Sequence, residues 1–151
     1  MAGKSSSYVT YQSIPALAGL CSMDRAIQAD WTLEESVDRL KRLHYSIKRT
    51  HEVLLAKITR EPIYELKTAY SHHAYLCAEH VNSIRDRISE MREPPLGLDK
   101  LPHPALVTFF DELEGVPDTV DFLVGVYEIA LPAIKVACSR LMNDAHPLAD
   151  A

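Results

Sequence analysis

The fold is decided by residues 32–59, which have the sequence TLEESVDRLKRLHYSIKRTHEVLLAKIT. Thr32 and Glu35 have the spacing of a capping box, in which the hydroxyl and the carboxylate each accept a backbone N–H at a helix start. Behind this box, mostly apolar side chains recur at alternating steps of four and three residues, which is typical of one face of a helix. This seam comprises Leu33, Val37, Leu40, His44, Ile47, His51, Leu54 and Ile58. We therefore predict one long helix over 33–59.

Proline and capping signals predict four further helices. Pro15, Pro62 and Pro104 stand where proline favours the first turn of a helix, and Asp118 is a good N-cap residue. No segment shows the alternation that is typical of a strand, so the predicted fold is all-α. The predicted organisation is a flexible segment 1–12, one helical-bundle domain over 13–147 with helices at about 15–29, 33–59, 62–92, 104–114 and 118–143, and a tail over 148–151.

The lengths of the links predict how these helices pack. Two or three residues separate the helices over 33–59 and 62–92, which favours an antiparallel hairpin. The connector over about 93–117 holds only a short helix, and its length suits a crossover that leaves the second and third long helices parallel. Such an up-down bundle lacks a fourth long helix. The helix over 15–29, a second copy of the chain or a longer polypeptide are the alternatives for that position.

The last long helix contains a proline. Its predicted inner face comprises Val120, Leu123, Tyr127, Leu131, Ile134, Cys138 and Leu141. Pro132 lies inside this stretch and cannot donate a helical hydrogen bond, so we predict a kink that leaves the carbonyl of Glu128 free.

The composition excludes several classes of protein. The chain of 151 residues has a formal net charge of −5 and is 25% charged, which argues against a wholly membrane-embedded chain and against sequence-independent binding to nucleic acid. Cys21, Cys77 and Cys138 are scattered, as is typical of reduced thiols. The apolar run Ile14–Cys21 is far shorter than the about 20 residues of a membrane span. We predict a cytoplasmic protein with no nucleic-acid or membrane partner.

Four histidines occupy positions where helices normally bury apolar side chains. His44 and His51 are seven residues apart in the first long helix, and His73 and His80 repeat the spacing in the second. Seven residues span about 10.5 Å along a helix, too far for one metal ion whose nitrogen ligands lie about 2.0–2.1 Å away. Folding the hairpin about residues 60 and 61 places His51 opposite Tyr70 and His44 opposite Cys77. His73 and His80 are then displaced by about 4.5 Å, and a stagger of the helices by this distance would give two levels, His51 with His73 and His44 with His80.

One hypothesis for these histidines is a metal site, single or dinuclear, in the bundle interior. A buried imidazole needs partners for both ring nitrogens, so four in one seam are costly unless they are used. The cofactor would be iron, manganese or another divalent transition metal. The candidate ligands are His44, His51, His73, His80, Glu52, Glu79 and Glu128, with Tyr70, Tyr127, His72 and Cys77 around them. The alternative is a set of core histidines that bond only to carboxylates or tyrosines, with no cofactor.

Charge is distributed unevenly along the chain. Residues 94–131 carry seven acidic residues and one lysine, whereas the first long helix has a basic outer face. That face comprises Arg39, Lys41, Arg42, Lys48, Arg49 and Lys57. We interpret it as a solvated surface; the alternative is a docking surface for an acidic partner, such as the acidic segment of another copy.

Residues 78–98, AEHVNSIRDRISEMREPPLGL, and 109–112, FFDE, resemble bacterial proteins of the ferritin-like superfamily. The resemblance covers about residues 33–147. It implies a ferritin-like helical bundle, a fold in which di-iron or di-manganese centres occur, and hence metal-dependent oxidation.

The superfamily's Glu-x-x-His motifs are absent from this chain. Glu65 and Glu79 are followed three residues later by Thr68 and Asn82. No ligand is therefore assigned by position. The alternative function is a non-catalytic helical assembly or protein-interaction module, working as a homo-oligomer or with the missing helix supplied by another chain.

Overall fold

The computed structural model describes residues 31–91, Leu98 and 103–144. The regular backbone of these residues is helical, and none of them lies in a strand. The all-α prediction is therefore confirmed for this part of the chain. The segment 1–12, the predicted helix over 15–29 and the tail 148–151 lie outside the described residues.

Four helical rods make up the described chain. Helix α1 spans Leu33–Ile58, α2 spans Tyr64–Glu90 and α3 spans Pro104–Gly115. Rod α4 combines an α-helical turn at Thr119–Leu123, a π-helix over Val124–Ala130 and an α-helix over Leu131–Asp144. These bounds agree within two residues with the helices predicted over 33–59, 62–92, 104–114 and 118–143.

Side-chain caps begin three of these helices. Thr32 and Glu35 form the predicted capping box at α1, and their hydrogen bonds lower the pKa of the Glu35 carboxyl. Asp118 caps α4 with its carboxylate, as predicted, because it accepts two backbone N–H groups of the first turn. The ring of His103 caps α3. Local sequence therefore sets where these helices begin.

Helices α1 and α2 form the predicted antiparallel hairpin. Five residues separate them, and their faces pack along most of their length. Nδ1 of His51 on α1 lies 2.8 Å from the carbonyl oxygen of Ala74 on α2. This bond shows that His51 and His73, the neighbour of Ala74, lie at about the same level of the hairpin.

Rods α2 and α4 run in the same direction, as the crossover prediction requires. Just before α2, the Glu61 carboxylate accepts a hydrogen bond of 2.8 Å from the hydroxyl of Thr119, the first residue of α4. Further along both rods, Nδ1 of His73 lies 2.7 Å from Oη of Tyr127. Because contacts advance along both rods in the same order, the two are parallel.

The short helix α3 packs on α1 and runs in the same direction. Its Phe110 ring packs edge to face on Tyr45, with centroids 6.3 Å apart. Arg49 lies one turn after Tyr45 on α1, and its guanidinium binds Asp111 and Glu114 of α3 at 2.8 and 3.1 Å. The described helices thus alternate in direction, with α3 as a short third member. The acidic segment predicted to meet a second copy pairs at this point with α1 of its own chain.

Helix α1 is buried along two adjacent stripes. The predicted seam is confirmed where the structure describes its side chains, since each of these is buried or half-buried. A second buried stripe, seven residues apart, was not predicted and comprises Ser36, Leu43, Thr50 and Lys57. Two stripes are buried because α2 covers one side of α1, whereas α3 and α4 cover the other. Helix α1 is therefore the centre of the packing.

Lys57 corrects the interpretation of the basic face. Its side chain is buried, and its ammonium group lies 3.0 Å from the carbonyl oxygen of Pro117. The neighbouring carbonyls of Val116 and Asp118 lie 3.5 and 3.4 Å away, and the Phe122 ring centroid 5.1 Å away. Lys57 thus fastens the end of α1 to the turn between α3 and α4.

A π-helix lies just before Pro132, the residue at which a kink is predicted. The N–H of Leu131 bonds to the carbonyl of Val126, five residues earlier, directly before the proline. The inner face of α4 was predicted from uniform α-helical spacing. The wider π-helical turn breaks this spacing, so side chains before it face other directions than predicted. Val120, predicted to face inward, is 65% exposed, whereas Phe122 is 1% exposed. After the π-helix the predicted inner residues pack against the core.

Gly125 sets how closely α3 approaches α4. A Cβ atom at this position would overlap a methyl group of Leu113, which is itself buried. Gly125 lies within the π-helix and is buried. The absence of a side chain here therefore lets Leu113 seat directly on the backbone of α4.

We expect Gly125→Val to lower the free energy of unfolding by about 1–3 kcal/mol, because the added side chain overpacks the contact with Leu113. Urea denaturation measures this change. In a Leu113→Ala background, Gly125→Val should lower the free energy of unfolding by less, because the shorter side chain at position 113 leaves room for the valine. Equal costs in the two backgrounds would show that the Leu113 contact does not set the distance between α3 and α4.

Candidate functional site

The structure brings His73 and Tyr127 into direct contact and places His51 at the same level. The His73 and Tyr127 rings pack edge to face, with centroids 5.4 Å apart. Nδ1 of His51 faces a backbone carbonyl, which can only accept a hydrogen bond, so this nitrogen carries the proton. This bond leaves Nε2 of His51 as the nitrogen with a lone pair when the ring carries one proton.

The second predicted level is split between interior and surface. His44 is buried on α1, whereas His80 is exposed on α2. In the register set by the His51 bond to Ala74, His44 lies opposite Val81, and Val81 turns toward the core. The expected inward orientation of His80 is therefore not observed, because the adjacent residue takes that place.

The candidate carboxylate ligands do not gather around these histidines. Glu79 and Glu128 are exposed. Glu52 is half-buried, and its carboxylate lies 2.8 Å from the Arg49 guanidinium. Among the described residues, no group of three or more His, Cys, Asp or Glu side chains is arranged to hold a metal ion. The donor set does not fit a carboxylate-bridged dinuclear centre; at most it offers the two imidazoles of His51 and His73.

The residues predicted to surround the site differ in burial. His72 is exposed, with its ring centroid 5.8 Å from that of His73. Cys77 is a buried free thiol whose pKa is raised by burial, as expected of a core residue. Burial also raises the pKa of Tyr127, and Cys77 adds to this effect. The Cys77 thiol and the Tyr127 phenol therefore stay neutral at physiological pH.

Tyr70 is the most deeply buried phenol of this cluster. Burial, reinforced by Glu61 and Tyr127, raises its pKa to about 12. Within the described part of the chain its hydroxyl has no hydrogen-bond partner. It thus stabilises the core through its ring, which packs on Phe122 with centroids 5.4 Å apart.

A second candidate site is an apolar groove enclosed by α1, α3 and α4. Its volume is about 420 Å³, within the range of about 300–1,000 Å³ that is typical of small-molecule sites. Leu43 of α1, Phe109 of α3 and Ile134 of α4 contribute to its walls. Trp31, the only tryptophan of the chain, stands at its edge. The groove is therefore a half-open apolar concavity to which three helices contribute.

The groove exists because α3 and α4 do not pack evenly along their lengths. Leu113, near the end of α3, rests on the backbone at Gly125. Toward the start of α3, Leu106 and Phe109 line the same cavity as Ile134 of α4. The two helices are thus in close contact at one end and enclose a cavity at the other. The sequence pattern could not show this, because the lining residues are brought together only by tertiary packing.

The polar lining of the groove is basic. Its charged members among the described residues are Arg39, Arg42 and Arg140, and no carboxylate of this part of the chain lines it. The guanidinium of Arg39 lies 3.8 Å from the centroid of the Trp31 ring, in a cation–π contact. Two of these arginines belong to the predicted basic face of α1, so part of that face borders a cavity and is not simply solvated.

The outer side of α4 is also apolar. Within Thr119–Met142, a window of 18 residues has a mean hydropathy of 1.6 and is 22% buried, so by length and composition alone this stretch could cross a membrane. The core helix of a soluble protein passes the same test, which makes this weak evidence.

Comparison with protein-family models, curated proteins and solved structures finds no match to this chain. The resemblance to the ferritin-like superfamily therefore stays a prediction.

The raised pKa of Tyr70 predicts a loss of stability in alkali. In the unfolded chain a tyrosine loses its proton near pH 10, whereas folded Tyr70 keeps it to about pH 12. Its contribution is therefore fully present below pH 10 and is lost as the pH rises through this window. Between pH 10 and 12, the unfolding free energy should fall more steeply than in Tyr70→Phe, by up to about 1.4 kcal/mol per pH unit.

Urea denaturation across this pH range measures the difference between the two proteins. At pH 7 the Tyr70→Phe protein should be at least as stable as the native sequence, because the lost hydroxyl is buried without a partner among the described residues. Parallel pH profiles of the two proteins would show that Tyr70 titrates normally.

Proposed function

We propose that the protein is a non-catalytic helical module that binds a small apolar ligand in the groove between α1, α3 and α4. The observation that carries this proposal is the concave, largely apolar groove of about 420 Å³. Small-molecule sites are typically concave and apolar, with a few polar groups that orient the ligand. The arginines at this groove are groups of that kind.

Several features support binding over catalysis at this groove. Its charged lining consists of arginines, which stay protonated at physiological pH and are poor proton-transfer groups. Within residues 31–91 and 103–144, no histidine, cysteine or carboxylate lines it. Its apolar walls come from three different helices, so a bound ligand would join α3 to α4 at the end where they do not pack closely. Binding should therefore stabilise the bundle.

The groove should bind the neutral fluorescent probe N-phenyl-1-naphthylamine, with a dissociation constant on the order of 1–100 µM. Binding is measured as enhanced probe emission and as a change in the emission of Trp31. Ala133→Phe places a ring in the groove, since Ala133 lines it, and should weaken binding at least about tenfold.

Val124→Phe is the matched control. Val124 is exposed on the same rod but does not line the groove, so this variant should bind the probe like the native chain. Circular dichroism establishes that both variants are folded. Absence of saturable probe binding to the native chain, or equal binding by folded Ala133→Phe protein, would contradict the proposal.

We propose, as a second candidate function, a metal site at His51 and His73, on which metal-dependent oxidation would depend. The observation that favours it is the hydrogen bond from Nδ1 of His51 to the Ala74 carbonyl. Metal-binding histidines commonly use one ring nitrogen to bond a carbonyl or carboxylate, which orients the other nitrogen toward the metal. Nδ1 of His73 is similarly engaged by Tyr127. A bound metal would supply Lewis-acid or redox chemistry at this level of the bundle.

Metal content, measured on protein purified without an affinity tag, tests this second candidate. A metal site predicts a stoichiometric transition metal that is lost in both His51→Ala and His73→Ala. The exposed neighbour His72 provides the control, because His72→Ala should retain the metal. Metal-free protein whose melting temperature is unchanged by added iron, manganese or zinc would leave these histidines as core residues only.

A further inference from the structure

The charged lining of the groove is of one sign. Three arginines line it without a carboxylate from any residue that the structure describes, although the whole chain has a net charge of −5. Arg49, also on α1, shows the contrasting arrangement, since Glu52, Asp111 and Glu114 all bind its guanidinium. Basic charge is thus compensated elsewhere on α1 but accumulates at the groove.

Two of the three arginines are placed to meet a ligand. Arg39 packs on Trp31, whereas Arg42 and Arg140 are exposed on α1 and α4, at the border of the cavity. Neither Arg42 nor Arg140 forms an ion pair with another residue that the structure describes. Guanidinium groups bind carboxylates and phosphates through charge-assisted hydrogen bonds, which are the stronger class of hydrogen bond. Arg42 and Arg140 can therefore bind one anionic group from two helices.

The combination of an apolar cavity with cations at its border matches an amphiphile. We propose that the ligand of the groove is a free monoanionic amphiphile, a single acyl chain with a carboxylate headgroup. Its chain would lie against Leu43, Phe109 and Ile134, and its headgroup would bind Arg42 and Arg140. This inference rests on the proposed binding function and adds the chemical class of the ligand.

A free amphiphile suits the site better than a lipid within an anionic bilayer. The groove is a half-open concavity bounded by three helices, and its shape suits one chain better than a flat membrane surface. The net charge of −5 would also repel an anionic bilayer, because the leaflet's surface potential attracts basic segments and disfavours acidic ones. The positive charge is local to the groove, as recognition of a single headgroup requires.

Calorimetric titration with decanoate and with 1-decanol at pH 7.5 tests the headgroup. The two probes share an alkyl chain and differ in charge, so decanoate should bind at least about tenfold more tightly at low salt. The advantage should shrink in 0.5 M NaCl, because the groove arginines at the surface are screened. Arg42→Gln and Arg140→Gln should each weaken decanoate binding about fivefold to tenfold and leave 1-decanol binding unchanged.

Arg85→Gln is the matched control, since Arg85 is an exposed arginine of α2 that does not line the groove. This variant should bind decanoate like the native chain. Equal affinity for decanoate and 1-decanol would overturn the headgroup assignment and leave the groove proposal standing. Binding of neither compound would contradict the groove proposal itself. Association with phosphatidylglycerol vesicles without binding of free decanoate would identify a bilayer ligand and overturn the free amphiphile.

Discussion

The arrangement of the rods depends on the ammonium group of Lys57. A buried cation must find acceptors, because leaving it without them costs several kcal/mol. Lys57 meets this demand with the carbonyl oxygens of Val116, Pro117 and Asp118, in the turn between α3 and α4. The bond from Thr119 to buried Glu61 adds a second link at the same end of the bundle. Together they fix where α4 starts relative to α1 and α2.

This anchoring has a consequence for the opposite end of α3. Close packing of Leu113 on Gly125 holds α3 against α4 near the Lys57 turn. Helix α3 has only 12 residues, so it cannot follow α4 over the whole length of that rod. The groove opens between their less closely packed parts. The proposed binding site is thus the result of joining a short helix to a long one at a single tight contact.

Local features of the fold could be predicted from the sequence. The capping box at Thr32, the cap at Asp118 and the hairpin depend on residues close together in the chain, and the structure confirms each of them. The second buried stripe of α1 could not be predicted, because it arises only when α3 and α4 cover that side. The burial of Lys57 could not be predicted because the carbonyl groups that accept its hydrogen bonds are distant in sequence. The exposure of Val120 could not be predicted because the π-helix changes the direction in which the preceding side chains face.

The candidate site was predictable to a smaller extent. Spacing placed His51 and His73 at one level only with a stagger of about three residues between the helices, and the bond of His51 to Ala74 agrees with that staggered register. Spacing could not show that His80 is exposed, since a one-residue difference in rotation decides which side chain enters the core. The groove combines residues far apart in the chain, such as Arg42 and Arg140, and no local pattern connects them.

The π-helix of α4 also bears on how this chain tolerates changes in length. A π turn holds one residue more than an α turn, so Val124–Ala130 carries a residue that a uniform α-helix would not need. Deleting one residue there would restore regular winding and turn Phe122 by about 100° relative to Ile134. The extra residue keeps the apolar side chains on both sides of the π-helix facing the same core. An insertion or deletion in α4 would therefore turn one half of the rod away from that core.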